Sequence, residues 1–198
     1  VDDLDPADPE VEVIHQTPLI LDWLRALPGP FQEPIVRHVH ATSLGMARWQ
    51  AHGPYVEDEP ALDDYMHEVA GRVGYLVTDL FALYSPTVME RREMLMPLSR
   101  ECGLALQTVN VIRGIRKDYE RGWVFIPRTF YGKFGLTREN LLDPQCEPKA
   151  LAVVAMLADK ANRHLDHGLS FVTAIPRSEH GLRLALMWPF LFAARTLA

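Results

Sequence analysis

The stretch Leu98 to Pro127, LSRECGLALQTVNVIRGIRKDYERGWVFIP, decides the fold. Leu98, Cys102, Ala105, Leu106, Val109 and Ile112 recur at helical spacing and form one broad apolar side, which Leu104 and Val111 widen. A helix with so little polar perimeter belongs in the middle of a bundle. One stripe breaks the pattern. Gly103, Gln107, Asn110, Gly114 and Asp118 follow one another at spacings of four, three, four and four, which stacks them on one helical face. Two amides and a carboxylate in line on a buried helix need partners, because unpaired burial costs roughly 2–7 kcal/mol per group. A satisfied polar network between helices is the plainer explanation. A stripe lining a cavity, where ligand, metal or water satisfies these groups, is the reading favoured here.

Composition sets the outer bounds. A chain of 198 residues suits a single domain with its own core. A net charge of −6, with both signs mixed along the chain, argues against a nucleic-acid binder. Cys102 and Cys146 lie in unrelated contexts, so neither a disulfide framework nor a zinc site is expected, and a reducing compartment is. The longest apolar run, Leu184 to Ala194, is too short for a membrane span and contains Pro189. The chain opens on Val1-Asp2-Asp3 with no signal peptide and no initiator Met, and is expected to begin inside a longer protein.

Helical periodicity accounts for most of the remainder. Val1 to Glu12, acidic and holding Pro6 and Pro9, reads as a loop or frayed helix end. Thr17 to Leu27 is a short amphipathic helix with Pro18 in its first turn. Pro34 to Gly53 is a second, with Ile35, Val39, Leu44, Met46 and Trp49 as core candidates. Its histidines, His38, His40 and His52, share no face at ligand spacing and read as surface or polar-contact residues. From Ala61 to Leu83, a seam of Leu62, Met66, Val69, Val73, Leu76 and Leu80 predicts a long helix. Gly71 and Gly74 interrupt it at about 1 kcal/mol each, so close approach of another helix or of an apolar substrate is expected there.

Pro86 to Met96 reads as a charged turn into the central helix, which ends near Arg121-Gly122. Trp123 to Pro127 is then a short extended segment, and Phe130 to Leu136 a small helix or turn. Asp143 to Lys149 is a loop. Ala150 to Thr173 is a long helix with Leu151, Val154, Leu157, Ala161 and Leu165 inward, and Leu182 to Leu197 an apolar helix kinked at Pro189. No strand pattern is evident. The class is all-α, a single bundle of more than four helices around an apolar cavity.

Such a barrel with a polar stripe suits a long hydrocarbon ligand with a charged head. Carboxylates on facing helices could hold Mg²⁺, which favours one or two carboxylates plus water and phosphate oxygens. Arg113, Arg116, Lys117 and Arg121 could neutralise a diphosphate, or could equally compensate the dipole at the helix C-terminus.

Three motifs carry the reading further. Tyr65-Met-His-Glu-Val-Ala-Gly-Arg-Val-Gly74, Leu106-Gln-Thr-Val-Asn-Val-Ile-Arg113 and Gly122-Trp-Val-Phe-Ile-Pro127 resemble the squalene/phytoene synthase family, nearest its squalene synthase branch. Gly45-Met46-Ala47 resembles the segment ahead of the family's tyrosine helix. The resemblance implies an isoprenoid synthase fold, here without its N-terminal helices and its last helix. It implies head-to-head joining of two prenyl diphosphates through a cyclopropyl intermediate, with Mg²⁺ held by two Asp-rich motifs. Tyr65 then matches the catalytic tyrosine. Gln107, Asn110 and Arg113 match the second Asp helix and Asp118 its closing carboxylate, with Asn110 and Asp118 as metal ligands. Asp2 and Asp3 resemble the tail of the first Asp-rich motif. Arg113, Arg116, Lys117 and Arg121 are expected at the diphosphate, and Gly71 and Gly74 beside the prenyl chains. NADPH is implied if squalene is the product. The resemblance further implies a monomeric, cytoplasmic protein that contacts membranes peripherally.

One departure is marked. Where the family has Asp-x-x-x-Asp, this chain has Gly114-Ile-Arg-Lys-Asp118. The alternative implied is a non-catalytic relative that binds prenyl chains or lipids, or assists assembly.

Overall fold

A computed structural model describes residues 9–197. Its helices in chain order are α1 (Pro9–His15), α2 (Thr17–Ala26), α3 (Gly29–His52), α4 (Glu59–Met66), α5 (Arg72–Tyr84), α6 (Pro86–Met89), α7 (Arg92–Glu120), α8 (Arg128–Gly132), α9 (Glu147–Ala174) and α10 (His180–Leu197). The bundle is all-α, with α7 at its centre against α5, α9 and α10. Leu95, Leu104, Ala105, Val109 and Val111 of α7 are buried, as the apolar perimeter demanded.

β2 (Val124–Pro127) lies in the segment expected to be extended; its parallel partner β1 (Tyr55–Val56) was not expected, and the two pair Tyr55 with Val124 and Val56 with Pro127. Two residues of strand carry no alternation to detect. The pairing matters because it holds the segment after α7 against α4.

The largest difference from a regular reading lies between α4 and α5. His67 to Gly71 wind as a π-helix, whose extra residue turns everything after it by about 100°. Leu62, Tyr65 and Met66 are buried before the turn, and Thr78, Asp79 and Ala82 after it. Val73, expected in the core seam, is consequently 49% exposed. Gly71 and Gly74 lie where α5 meets α7: a Cβ on Gly74 would sit 2.2 Å from the Ser99 carbonyl oxygen, and one on Gly103 2.4 Å from that of Ala70. Of the two reasons considered for these glycines, Gly74 meets helix-on-helix approach.

Other core assignments also shift. α3 starts at Gly29 and buries Pro34, His38, Gly45 and Trp49, leaving Val39 and Leu44 on its outer side. α7 starts at Arg92, inside the stretch expected to be a charged turn, and carries Pro97 within its first two turns. α9 buries Val153, Leu157, Ala161 and Leu165 but exposes Leu151.

Two ionic clusters tie the bundle together. Asp79 of α5 accepts from Arg37 and pairs with His38 on α3 (2.8 Å each), and accepts from Arg92 at the start of α7 (2.7 Å). Lys160 of α9, 2% exposed, reaches Asp63 (2.7 Å) and Glu59 (3.0 Å) on α4. His164, one turn along α9, pairs with Glu101 of α7 at 2.8 Å. Among the described residues no helix is long and apolar enough to cross a membrane.

Candidate active site

α4 begins where Asp58 accepts a hydrogen bond from the Ala61 N–H (2.9 Å), an N-cap that satisfies one orphan donor. Two turns later it presents Tyr65, 8% exposed, to the C-terminal end of α7. There α7 stops at Gly122, whose φ of +80° only glycine adopts without strain. The Trp123 N–H turns back to donate to the Asp118 carbonyl at 2.8 Å. β2 follows, and the Val124 N–H donates to the Pro54 carbonyl at 3.0 Å. Alternation along the strand places Trp123 and Phe125 on one side, toward α4.

The result is a cleft of about 300 Å³ lined by Met46, Trp49 and Gln50 of α3, Tyr65, Asp118, and Arg121, Trp123 and Phe125. Tyr65 stacks on Phe125 (centroids 4.4 Å apart, 17° between planes) and meets the edge of Trp49 (5.5 Å, 78°). Phe125 in turn stacks on Trp123 at 5.5 Å. Burial, together with the charge of Asp118, pushes the Tyr65 phenol up to about 12, so at neutral pH it is an uncharged hydroxyl on an aromatic ring. Burial also raises the Asp118 carboxyl, against the lowering effect of Arg121 and Lys117. Among the described residues that carboxylate has no hydrogen-bond donor. It folds back over Gly114, where an added Cβ would lie 2.7 Å from its Oδ2.

The structure brings together Tyr65, Asp118 and Arg121. Gln107, Asn110, Gly114 and Asp118 share a face, but the stripe is not buried throughout. Asn110 is exposed and donates to Gln107 Oε1 at 3.4 Å, and Gln107, Gly114 and Asp118 are half-buried. The buried stripe expected from sequence is thus an open wall over most of its length. Arg113 and Arg116 stand about 140° and 160° around α7 from Asp118, and Arg116 lines a separate groove with Leu141 and Asp143. Gly71 and Gly74 belong to the α5–α7 contact. Asp2 and Asp3 lie outside the described residues. Trp49, Phe125 and Trp123, which complete the aromatic side of the cleft, were not singled out as site residues. The spacing of two between Trp123 and Phe125 was the available signal.

For a divalent cation, the Asp118 carboxylate, now folded over Gly114, is a fitting ligand, whereas Asn110, two turns and about 12 Å along the same face, is too far to share one ion with it. Among the described residues no three His, Cys, Asp or Glu side chains converge as a metal site. Asp118 would therefore supply one part of a donor set.

A squalene/phytoene synthase family profile matches residues 2–198. The chain belongs to the squalene/phytoene synthase family. Among curated relatives, the bifunctional lycopene cyclase/phytoene synthase of Podospora anserina is 32% identical over 147 residues, covering 72% of this chain and 24% of that protein. The squalene synthase of Yarrowia lipolytica is 28% identical over 176 residues, covering 86% of this chain and 39% of that one. The chain therefore spans less than half of either relative's length. Among solved structures, the complex of TcSQS with BPH1237 superposes with a TM-score of 0.78 at 23% identity, over 88% of this chain and 50% of that one. Squalene synthase HpnC from Alicyclobacillus acidocaldarius does so with a TM-score of 0.68 at 23% identity, over 87% and 59%. These superpositions establish the isoprenoid synthase fold.

Proposed function

We propose that this chain is part of a prenyltransferase that joins two prenyl diphosphates head to head, with farnesyl diphosphate as the substrate and squalene or another presqualene-derived compound as the product. The observation that carries the reading is the shared cleft. Tyr65 and Asp118 come from different helices, and an uncharged phenol faces a carboxylate without a donor across an aromatic-walled space.

Departure of diphosphate from an allylic substrate leaves a carbocation, which needs charge taken up at one end and a water-poor aromatic surface at the other. Arg121, at the lip of the cleft, attracts the diphosphate. Tyr65 offers its ring face and hydroxyl to the cation, a contact worth about 0.5–2 kcal/mol. Its phenol stays protonated, so it stabilises the cation through its ring face and oxygen lone pairs. Asp118 is the residue proposed to hold Mg²⁺ together with Asp2 or Asp3, and Asn110, about 12 Å along α7, would serve a second ion. Such an ion would neutralise the leaving diphosphate. NADPH is required only if the product is squalene.

A second reading rests on Gly114. With one carboxylate absent from the second motif, the protein would bind prenyl or lipid chains without turnover. Incubating the full-length protein with farnesyl diphosphate and Mg²⁺, with and without NADPH, separates the two. Squalene or a presqualene-derived product supports the enzyme. Retained binding with no product from farnesyl or geranylgeranyl diphosphate supports the second reading.

A further inference from the structure

The side chains that fix Tyr65 form a clamp of their own. The Tyr65 hydroxyl opens into the cleft with no hydrogen bond to another described residue, so ring contacts set where it points. Phe125 covers one face at 4.4 Å, nearly parallel, and the Trp49 edge closes the side at 5.5 Å. Both neighbours are themselves anchored. The Trp49 indole N–H donates to Asp64 Oδ2 at 3.0 Å, the same oxygen that takes a 2.7 Å bond from Arg48. Phe125 is backed by Trp123 and carried on β2, whose entry is bonded to the Asp118 carbonyl and to Pro54.

We infer that Phe125 is the positioning residue of Tyr65, with Trp49 as the second jaw of the clamp. One short segment, residues 118–125, then carries both the carboxylate of the cleft and the ring that aims the phenol. The geometry explains why an aromatic group rather than an aliphatic one stands at 125. A stacked ring holds the Tyr65 plane at a fixed tilt, whereas a branched aliphatic side chain of similar bulk leaves it free to rock. Displacing a reacting group by about 1 Å can cost on the order of 100-fold in rate. This inference rests on the reading of Tyr65 as the group at the reacting centre.

The test uses the full-length protein and the variants Phe125→Leu and Phe125→Tyr. Turnover of farnesyl diphosphate with Mg²⁺ is measured alongside an alkaline ultraviolet titration of Tyr65, taken as the difference from Tyr65→Phe in each background. Phe125→Leu should melt within a few degrees of the parent, keep KM within about threefold and lose at least about tenfold in kcat. Its Tyr65 should titrate about one pH unit closer to the ordinary value of 10.0 as water gains access. Phe125→Tyr should restore both. Unchanged kcat and titration in Phe125→Leu would overturn the inference, as would a loss of rate that follows melting temperature and is not rescued by Phe125→Tyr. If the parent shows no turnover, the proposed function fails, while the titration still decides the clamp: a shift in Phe125→Leu rescued by Phe125→Tyr upholds it, and no shift overturns it.

Discussion

Tyr65 and Asp118 face one cleft from two helices, and the Asp118 charge adds to burial in holding the Tyr65 phenol at about 12. Asp118→Asn should therefore let Tyr65 titrate at a lower pH, though still above 10.0, because burial is the larger cause. Difference titration against Tyr65→Phe in each background reads this directly, and an unchanged value would place the two groups apart. The sign for stability follows. A phenol whose value is raised on folding keeps its full contribution below about pH 10 and loses it as pH rises toward 12. Urea unfolding across that range should show a steeper decline in the parent than in Tyr65→Phe, where buried Cys102 and Tyr131, also raised, still contribute.

Gly114→Asp puts a second carboxylate one turn from Asp118. The added Cβ would meet only the end of the Asp118 side chain, which can rotate away, so the variant should fold. Without metal the like-charge pair should cost a few tenths of a kcal/mol, on the scale of about 0.2–0.5. With millimolar Mg²⁺ the cost should reverse, and calorimetry should find tighter Mg²⁺ binding than in the parent. Equal affinity would show that the site does not use position 114.

Gly74→Ala drives a methyl group into the Ser99 carbonyl, 2.2 Å away on the backbone of α7. Neither helix can yield locally, so destabilisation should reach at least about 1–3 kcal/mol. Gly181→Ala, with nothing within 4 Å of the added Cβ, is the control and should be neutral or stabilising by about 0.4–1 kcal/mol. Equal effects in urea melts would contradict the close approach of α5 and α7.

Lys160→Met leaves Asp63 and Glu59 without their shared cation. The loss should be about 3 kcal/mol, near the low end for a broken buried pair because both carboxylates retain some water. Burial raises both carboxyls, but the hydrogen bonds and charges of Lys160, Arg163 and His164 outweigh it and hold them below 4.5 and 3.8. Depressed carboxyls contribute stability that is present above those ordinary values and lost as pH falls beneath them. The parent should therefore lose stability on acidification below about pH 4.5 more steeply than Lys160→Met.

The central helix was legible because its apolar perimeter has a single structural meaning, and the family motifs around Tyr65 and Asp118 survive as strings. The π turn was not legible. In His67-Glu-Val-Ala-Gly71 only Gly71 departs from helical preference, and a lone glycine does not specify the extra residue that carried Val73 out of the core. Lys160 was equally hidden, and for His38 the polar contact was expected but not its partner, since a lysine or histidine at a core position shows no sign in sequence of the carboxylate that another helix brings to it. The open stripe has a different cause. Residue spacing reports which side chains share a face, not whether another element covers that face, so Asn110 could be aligned with Asp118 but not its exposure foreseen. Phe125 depended on the same kind of information, a ring contact made across two segments far apart in the chain.

The most direct test of the account is the rate of diphosphate release from farnesyl diphosphate by the full-length protein with Mg²⁺, compared between parent, Asp118→Asn and Tyr65→Phe. Release coupled to a head-to-head product is expected in the parent, abolished in Asp118→Asn and reduced by up to about 30-fold in Tyr65→Phe, the measure of a cation contact of about 2 kcal/mol. Near-parental rates in Asp118→Asn, with the product unchanged, would contradict it.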